Sequence, residues 1–468
     1  MFPETQDTIV AASTPSGRSL CAIIKISGPE AIQCIKDIFI PTPQVNLEHV
    51  PTYTSLCGHI HFPAEYVTIP VVLYIMKQPY SYTKEDVVEI HTPGSPVIVE
   101  MLLCLILSNG IQTKKSIRLS QPGEFTKRAF LHGRIDLVQA EGVLHIIHAQ
   151  TDRELNRAVA QLGGDVSKKI KHIQNDIVSL CSYIEAAIDF SDQDVELIST
   201  AEIRNRIEIL EKNMLQFLTQ PETTKVTSEG IDTVLYGNPN VGKSSLINAL
   251  LGRKRSIVCE IPGTTRDVVT STLEIEGICF KLIDTAGIDN TEDVIMSGAM
   301  EMAQASLRRA QIIVLVLDGS IDISKQVKET ELEDLTGNVI VIINKCDLQK
   351  NKQIAEMPGM LKKYPLIHTS ALTGEGLERL KKLLTESVLG GRVNLSGDSV
   401  CFTVRQREAI QRSLQSIHRA MESAENNESH EFIALSLREA IDILGEIAGE
   451  VTTEDILDKV FSEFCIGK

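Results

Sequence analysis

The sequence predicts a chain of α/β and all-α parts: a mixed α/β N-terminal domain, a discontinuous helical domain, and a doubly wound α/β domain inserted between the two helical pieces. Three observations lead there. Residues 231–388 alternate apolar strands with helices, as a parallel sheet wrapped on both faces requires. Helical stripes lie on both sides of that segment, and each needs a partner to bury it. The length, 468 residues, exceeds what one ordinary core organises. The expected boundaries are 1–125, 126–228, 229–388 and 389–468, the second and fourth forming one helical domain.

Taken in order, Thr8-Ile9-Val10-Ala11 and Cys21 to Ile26 read as short strands around the turn Thr14-Pro15-Ser16-Gly17. Val71 to Met76 is a further strand. Pro96 to Leu107 reads as a buried helix with proline at its start. Pro122-Gly123-Glu124-Phe125 is a turn entering a helix. From about residue 134 the spacing becomes helical, with one stripe through Ile135, Val138, Val143, Ile146 and Ile147. A second runs through Ile170, Ile173, Ile177, Leu180, Ile184 and Ile188, and Gly163-Gly164 breaks the two. Another helix over 201–218 leads into the polar link Thr219 to Gly230. Gly390-Gly391 closes the α/β segment, and 405–468 is helical again, with a loop at Asn426-Asn427-Glu428-Ser429.

Composition bounds the function. A hydrophobic content of 43% with 23% charged residues is that of a folded, soluble chain. The most apolar run, Val97 to Leu107, is too short for a membrane span and contains Glu100. Ten cysteines without a C-x-x-C pair argue against zinc and disulfide frameworks. Met1-Phe2-Pro3-Glu4 lacks the basic and apolar regions of an export signal, so the cytoplasm is the expected compartment. The net charge is −16, from 46 basic and 62 acidic residues. A general nucleic-acid binder is excluded, because phosphate-driven affinity needs a basic surface. Any RNA contact requires a local patch or a basic partner.

The chemistry is concentrated in four stretches. Gly237-Asn238-Pro239-Asn240-Val241-Gly242-Lys243-Ser244-Ser245 lies between an apolar strand and the helix-forming Leu246 to Leu251, the setting of a phosphate-cradling loop. Lys243 reaches the β- and γ-phosphates in such a loop, and the Ser244 hydroxyl completes a Mg²⁺ shell. Asp284-Thr285-Ala286-Gly287 ends a strand. There an acidic residue holds Mg²⁺ through water, and the Gly287 N–H meets the γ-phosphate. Asn344-Lys345-Cys346-Asp347 ends another. The Asp347 carboxylate can accept two hydrogen bonds from guanine that adenine does not offer. Lys345 lies along the base, with Ser370-Ala371 supporting it. A D-x-x-G turn or an N-K-x-D loop is common alone, but the ordered set points to GTP. Thr265, within Gly263-Thr264-Thr265-Arg266-Asp267, is the second hydroxyl for Mg²⁺.

The set resembles the translation-factor-related GTPases, with one departure. The residue after D-x-x-G, where Ras-like proteins carry a water-orienting Gln, is Ile288, which has no polar atom. A monovalent cation can do the charge-neutralising work of an arginine finger instead. The Asn240 side chain and backbone carbonyls of the Ser256 to Thr264 loop, at Cys259, Ile261 and Thr264, can hold K⁺. Glu260, Pro262 and Gly263 complete that loop's contacts with GTP.

Beyond the motifs, nearly the whole chain resembles the MnmE (TrmE) family of tRNA modification GTPases. The resemblance is carried by Asp7-Thr8-Ile9-Val10-Ala11, Ile26-Ser27-Gly28, Pro122-Gly123-Glu124-Phe125, Arg128-Ala129-Phe130-Leu131, Glu185-Ala186-Ala187-Ile188-Asp189-Phe190, Leu444-Gly445-Glu446-Ile447 and the terminal Phe464-Cys465-Ile466-Gly467-Lys468. It implies an N-terminal folate-binding and dimerising domain, a discontinuous helical domain and an inserted Ras-like G domain. It further implies a homodimer paired with the FAD-dependent protein MnmG. The pair places an aminomethyl or carboxymethylaminomethyl group on C5 of uridine 34 of certain tRNAs. A 5-formyltetrahydrofolate-type cofactor is expected at Lys25, Glu85, Arg134 and Lys468. Lys25 stands where the family has Arg, and Arg134 where it has Lys; both keep the charge, though Lys25 loses a bidentate fork.

Two points stay open on the sequence. The family's switch II Glu is replaced by Ile295, so either Glu292 or Asp293 has taken the acid–base role, or orientation and K⁺ suffice. Cys465 is either a nucleophile or pocket thiol near the folate, or a small buried residue. A competing function is a ribosome-assembly GTPase switch without folate chemistry. Such proteins usually append a basic RNA-binding module, whereas this chain ends in an acidic helical segment.

Overall fold

The computed structural model describes residues 7–62, 67–112, 116–149, 151–189, 198–218, 230–252, 270–275, 278–284, 307–308, 310–326, 338–348, 358–389 and 402–468. The chain forms two compact units, one of residues 1–147, 158–219 and 402–468, the other of residues 148–157 and 220–401.

The first unit holds a seven-stranded sheet. Its strands are β1 (Thr8–Ala12), β2 (Ser19–Ser27), β3 (Phe39–Pro41), β4 (Thr54–Phe62), β5 (Val67–Met76), β6 (Val87–Gly94) and β7 (Ile117–Leu119), in the order β3-β4-β5-β6-β2-β1-β7. All pairs run antiparallel except β1 with β7. Helices α1 (Ala31–Lys36) and α2 (Pro96–Gln112) join the inward-facing Ile24, Ile26, Leu73, Ile75 and Ile90 in one core. The opposite face carries His59, His61 and Tyr74. This one-sided burial explains why β4 and β6 escape a reading for apolar runs: each alternates core residues with polar ones.

Next come α3 (Glu124–Leu131), α4 (Leu137–His148), α5 (Asp152–Leu162, whose first six residues belong to the second unit), α6 (Asp165–Asp189) and α7 (Thr200–Leu218). The break at Gly163-Gly164 falls between α5 and α6 as expected. Ile170, Ile173, Ile177, Leu180 and Ile184 are all buried, and Ile188 is half-buried. The α4 stripe stops early. Leu137, Ala140 and Leu144 pack on Leu457, Phe461 and Phe464, but Ile146 is half-buried and Ile147 is 39% exposed, beyond the reach of that cluster.

After the second unit, the first resumes as three helices that α8 (Lys243–Leu251) and α9 (Leu377–Leu389) of the second precede in the chain: α10 (Val404–Glu425), α11 (His430–Ala448) and α12 (Glu454–Ser462). Thr403 and Gln406 form a capping box at the start of α10. Gln174 of α6 donates to the Ile441 carbonyl at 3.3 Å, and Ser413 of α10 to the Ala440 carbonyl at 3.1 Å. Helices on either side of the inserted unit therefore bury each other's stripes. Each buried Ile or Leu contributes about 1.5–3 kcal/mol, far more than any helix propensity.

The second unit is built on a six-stranded sheet. Its strands are β8 (Ile231–Tyr236), β9 (Thr270–Ile275), β10 (Ile278–Asp284), β11 (Ile312–Asp318), β12 (Asn338–Asn344) and β13 (Leu366–His368), in the order β13-β12-β11-β8-β10-β9. β10, β8, β11, β12 and β13 run parallel, and β9 lies antiparallel on β10. Leu235, Val314, Val316 and Ile342 pack with α8 and α9 on one face, while Val234, Ile313 and Val339 pack on the other. Burial on both faces makes these strands continuous apolar runs. Among the described residues, no helix is long and apolar enough to cross a membrane.

Candidate functional site

In the second unit, every parallel strand delivers a polar residue to the same edge of the sheet. β8 runs into the Gly237 loop, β10 ends in Asp284, β11 in Asp318, β12 in Asn344, and β13 leads to Thr369 and Ser370. β8 lies between β10 and β11, with the chain crossing from one side to the other, and in open parallel sheets this reversal opens the ligand crevice.

The loop wraps as its glycines allow. Gly242, at φ +97°, caps α8, and a Cβ there would lie 2.5 Å from the Asn344 amide nitrogen. A Gly242→Ala variant therefore combines backbone strain with a clash. It is expected to weaken binding of a nucleotide such as GDP on the order of tenfold, read by titration calorimetry, and unchanged affinity would refute this use of the glycine. Lys243 is buried, and its ammonium donates to the carbonyls of Gly237 at 2.6 Å and Asn238 at 3.1 Å. The Ser244 hydroxyl donates to Asp284 Oδ2 at 2.6 Å, which joins the first two motifs. Ser245 is exposed on the first turn of α8, while Val241 is buried beneath the loop.

Asn344 is fully enclosed and ties three motifs together. Its amide nitrogen donates to the Val241 carbonyl at 3.0 Å, and its Oδ1 accepts from the Ala371 N–H at 3.2 Å and the Thr369 hydroxyl at 3.3 Å. Lys345 donates to the Asn240 carbonyl and to Asp318 Oδ2, both at 2.7 Å. The Ser370 hydroxyl donates to Asp347 Oδ1 at 2.5 Å, which aims that carboxylate. The sequence motifs Asn240 to Ser245, Asp284, Asn344, Lys345, Asp347, Ser370 and Ala371 thus converge. Thr265, the loop of Cys259, Glu260, Ile261, Pro262, Gly263 and Thr264, and the stretch of Thr285, Ala286, Gly287, Ile288, Glu292, Asp293 and Ile295 lie outside the described residues.

Asp318 is the member of this site that motif reading passed over. A buried polar residue ending an otherwise apolar strand, followed by Gly319, was its signal. Burial alone pushes its carboxyl up, but hydrogen bonds from Lys345 and Ser320 outweigh that and hold it below the usual range.

A second polar cluster lies in the first unit, around Phe125 of α3. The Lys25 ammonium sits 5.7 Å from the Phe125 ring centre and 3.5 Å from Glu89. Tyr82 packs on Phe125, donates or accepts a bond with Thr126 at 3.2 Å, and feels the Arg134 charge; burial nevertheless pushes its hydroxyl up. The Lys468 carbonyl accepts the Phe125 N–H at 3.2 Å. Ser13 donates to the Gly467 carbonyl at 3.1 Å, and Ile466 pairs with Pro122. The last residues thus dock beside β1 and α3. Glu85 is buried rather than a solvated charge, and it is turned to protein partners: Ser27 at 2.6 Å and Arg128 at 3.1 Å. Cys465 is exposed, so its reading as a small buried residue is wrong. The neighbouring Phe464 takes the core position, and the tail's turn sends the thiol outwards.

The model of the MnmE helical domain matches residues 137–465, and that of the GTP-binding protein TrmE N-terminus matches residues 8–134. Over 468 residues the chain is 39% identical to the tRNA modification GTPase MnmE of Natranaerobius thermophilus, covering 99% of this chain and all 100% of the relative. The chain belongs to the MnmE family. The protein of the same name from Clostridioides difficile is 38% identical over 463 residues, 99% of either chain. The MnmE-family architecture accounts for the two matched regions: a TrmE N-terminal domain, then a helical domain whose sequence is interrupted by the α/β unit of the nucleotide-type loop.

Proposed function

We propose that this chain is the GTP-hydrolysing component of a system that modifies C5 of the wobble uridine (U34) of tRNA with an aminomethyl or carboxymethylaminomethyl group. The single observation that carries this reading is full-length membership of the MnmE family together with the convergence of Lys243, Asp284, Asn344 and Asp347 at one sheet edge. In this reading Lys243 holds the phosphates, Asp347 reads guanine, and the γ-phosphoryl group passes to water. Mg²⁺ would be held by Ser244 and Thr265 with Asp284 nearby. The fit rests on a hydroxyl and a carboxylate oxygen already 2.6 Å apart, the hard oxygen donors that this ion takes. K⁺ would be held by Asn240 and the carbonyls of Cys259, Ile261 and Thr264, doing the charge-neutralising work of an arginine finger.

The same reading divides the chain at 1–125, 126–228, 229–388 and 389–468, and assigns it a homodimer working with an FAD-dependent MnmG partner in the cytoplasm. A formyltetrahydrofolate-type donor would be held at Lys25, Glu85, Arg134 and Lys468; the folate supplies the one-carbon unit. The Lys25 ammonium beside the Phe125 ring suits an aromatic, carboxylate-bearing ligand. Nucleoside analysis of tRNA from a deletion strain is expected to show unmodified wobble uridines, and the purified chain should hydrolyse GTP faster in K⁺ than in Na⁺. Unaltered wobble uridines would sink the tRNA reading, and equal rates in the two salts would sink the K⁺ site.

A further inference from the structure

Two non-glycine residues of the nucleotide site have left-handed backbones, Asn240 at φ +65° and Lys345 at φ +62°. Such conformations are uncommon for residues with a Cβ, asparagine tolerating them best, and contacts that hold them in place matter most at Lys345. Here the two are joined directly, since the Lys345 ammonium donates to the Asn240 carbonyl at 2.7 Å. That ammonium in turn is held by Asp318 Oδ2 at 2.7 Å.

We infer that Asp318 is a positioning residue of the nucleotide site, which acts through the Lys345 ammonium to hold the middle of the phosphate loop in its binding shape. The inference rests on the GTP-site reading above. Asp318 is suited to the task because it is buried and held on both sides. Its side chain is 5% exposed, whereas that of Lys345 is 31% exposed. Asp318 Oδ1 accepts from the Ser320 N–H at 2.8 Å and the Ser320 hydroxyl at 2.6 Å, which leaves Oδ2 aimed at Lys345. Gln326 clamps the same turn, accepting from the Asp318 N–H and donating to the Asp318 carbonyl, each at 2.8 Å. The Gln326 carbonyl accepts from the Asn238 side chain at 3.3 Å. Asn238 and Asn240, on either side of Pro239, are therefore both tethered to the end of β11.

A lysine ammonium is a flexible point charge, and its aim is set by what surrounds it. With a fixed carboxylate on one side, it presents a proton to the Asn240 carbonyl and fixes that peptide. Without the carboxylate, the same stem can swing to water, and the Asn240 peptide loses its tether. Neither Lys345 nor Asn240 distinguishes a diphosphate from a triphosphate through this link, so both nucleotides should weaken alike, with release accelerated.

The test is a double-mutant cycle on the full chain, with a fluorescent GDP analogue followed by stopped flow. Asp318→Asn keeps shape and the Ser320 bonds while it removes the charge. It is expected to raise the GDP dissociation constant on the order of tenfold, the scale of one charge-assisted hydrogen bond. In a Lys345→Met background the same change should have almost no further effect. An equal loss in both backgrounds would reduce Asp318 to a structural residue and overturn the inference, as would wild-type affinity of Asp318→Asn. Should circular dichroism show Asp318→Asn unfolded, Ser320→Ala takes its place, with a smaller loss that again vanishes in Lys345→Met. A wild-type chain that fails to bind GDP would instead overturn the GTP-site reading itself.

Discussion

An Asp347→Asn variant is expected to bind GTP on the order of 10²–10⁴-fold more weakly than the parent chain and to gain affinity for xanthosine triphosphate. The Asp347 carboxylate lies just past β12, and the Ser370 hydroxyl fixes one of its oxygens at 2.5 Å. A carboxylate still has acceptor sites left for the N1–H and amino group of guanine. An amide turns one acceptor into a donor, which then faces the donors of guanine. In xanthine the 2-amino group is replaced by an oxygen, so the amide finds a partner again. Titration of the parent chain and the variant with both nucleotides decides the matter. Undiminished GTP affinity in Asp347→Asn would remove this residue from base recognition.

Arg128→Met should destabilise the first unit by about 3–5 kcal/mol, the cost of leaving buried charges without their counter-charge. Arg128 is 1% exposed and holds three carboxylates: Asp7 Oδ1 at 2.6 Å, Glu124 Oε1 at 3.0 Å and Glu85 Oε1 at 3.1 Å. Arg118 shares two of them, Asp7 at 2.5 Å and Glu124 at 2.6 Å. Methionine fills much of the volume, so the loss measures charge rather than a cavity. The same cluster sets a pH dependence. Burial alone raises the Glu124 carboxyl, but Arg118, the Gln121 N–H and Arg128 together hold it below its ordinary value of 4.5. A group depressed in the folded state contributes stability that is fully present above its unfolded value. That contribution is lost as the pH falls from about 4.5 through the folded value. Hydrogen exchange of the β1, β6 and α3 peptides is expected to quicken in Arg128→Met at neutral pH. In the parent chain the same quickening should come only on acidification. Equal protection in the two proteins at neutral pH would refute the counter-charge role.

Much of the second unit was legible because its information is local. A strand, a glycine loop and a helix within about 20 residues leave the backbone few alternatives, and each motif sits directly after an apolar run. The Gly163-Gly164 break and the loop before α11 were legible for the same reason. The first unit was harder to read. β4 and β6 are buried on one side only, so their composition is half polar, and Ile147 follows a helical period yet lies outside the cluster that buries Leu137 and Leu144.

The chain by itself determined the strand–helix alternation of the inserted unit, the phosphate-type loop, the Asn344-Lys345-Cys346-Asp347 motif and the family, all from short-range pattern and spacing. Only the tertiary structure decided which polar residues meet. It joined Asp318 to Lys345 across 27 positions, Arg128 to Glu85 across 43, and the last residues to Ser13 across 454. The physical reason is that a buried charge must be paired, and which partner reaches it depends on strand order and helix docking rather than on neighbours in the chain.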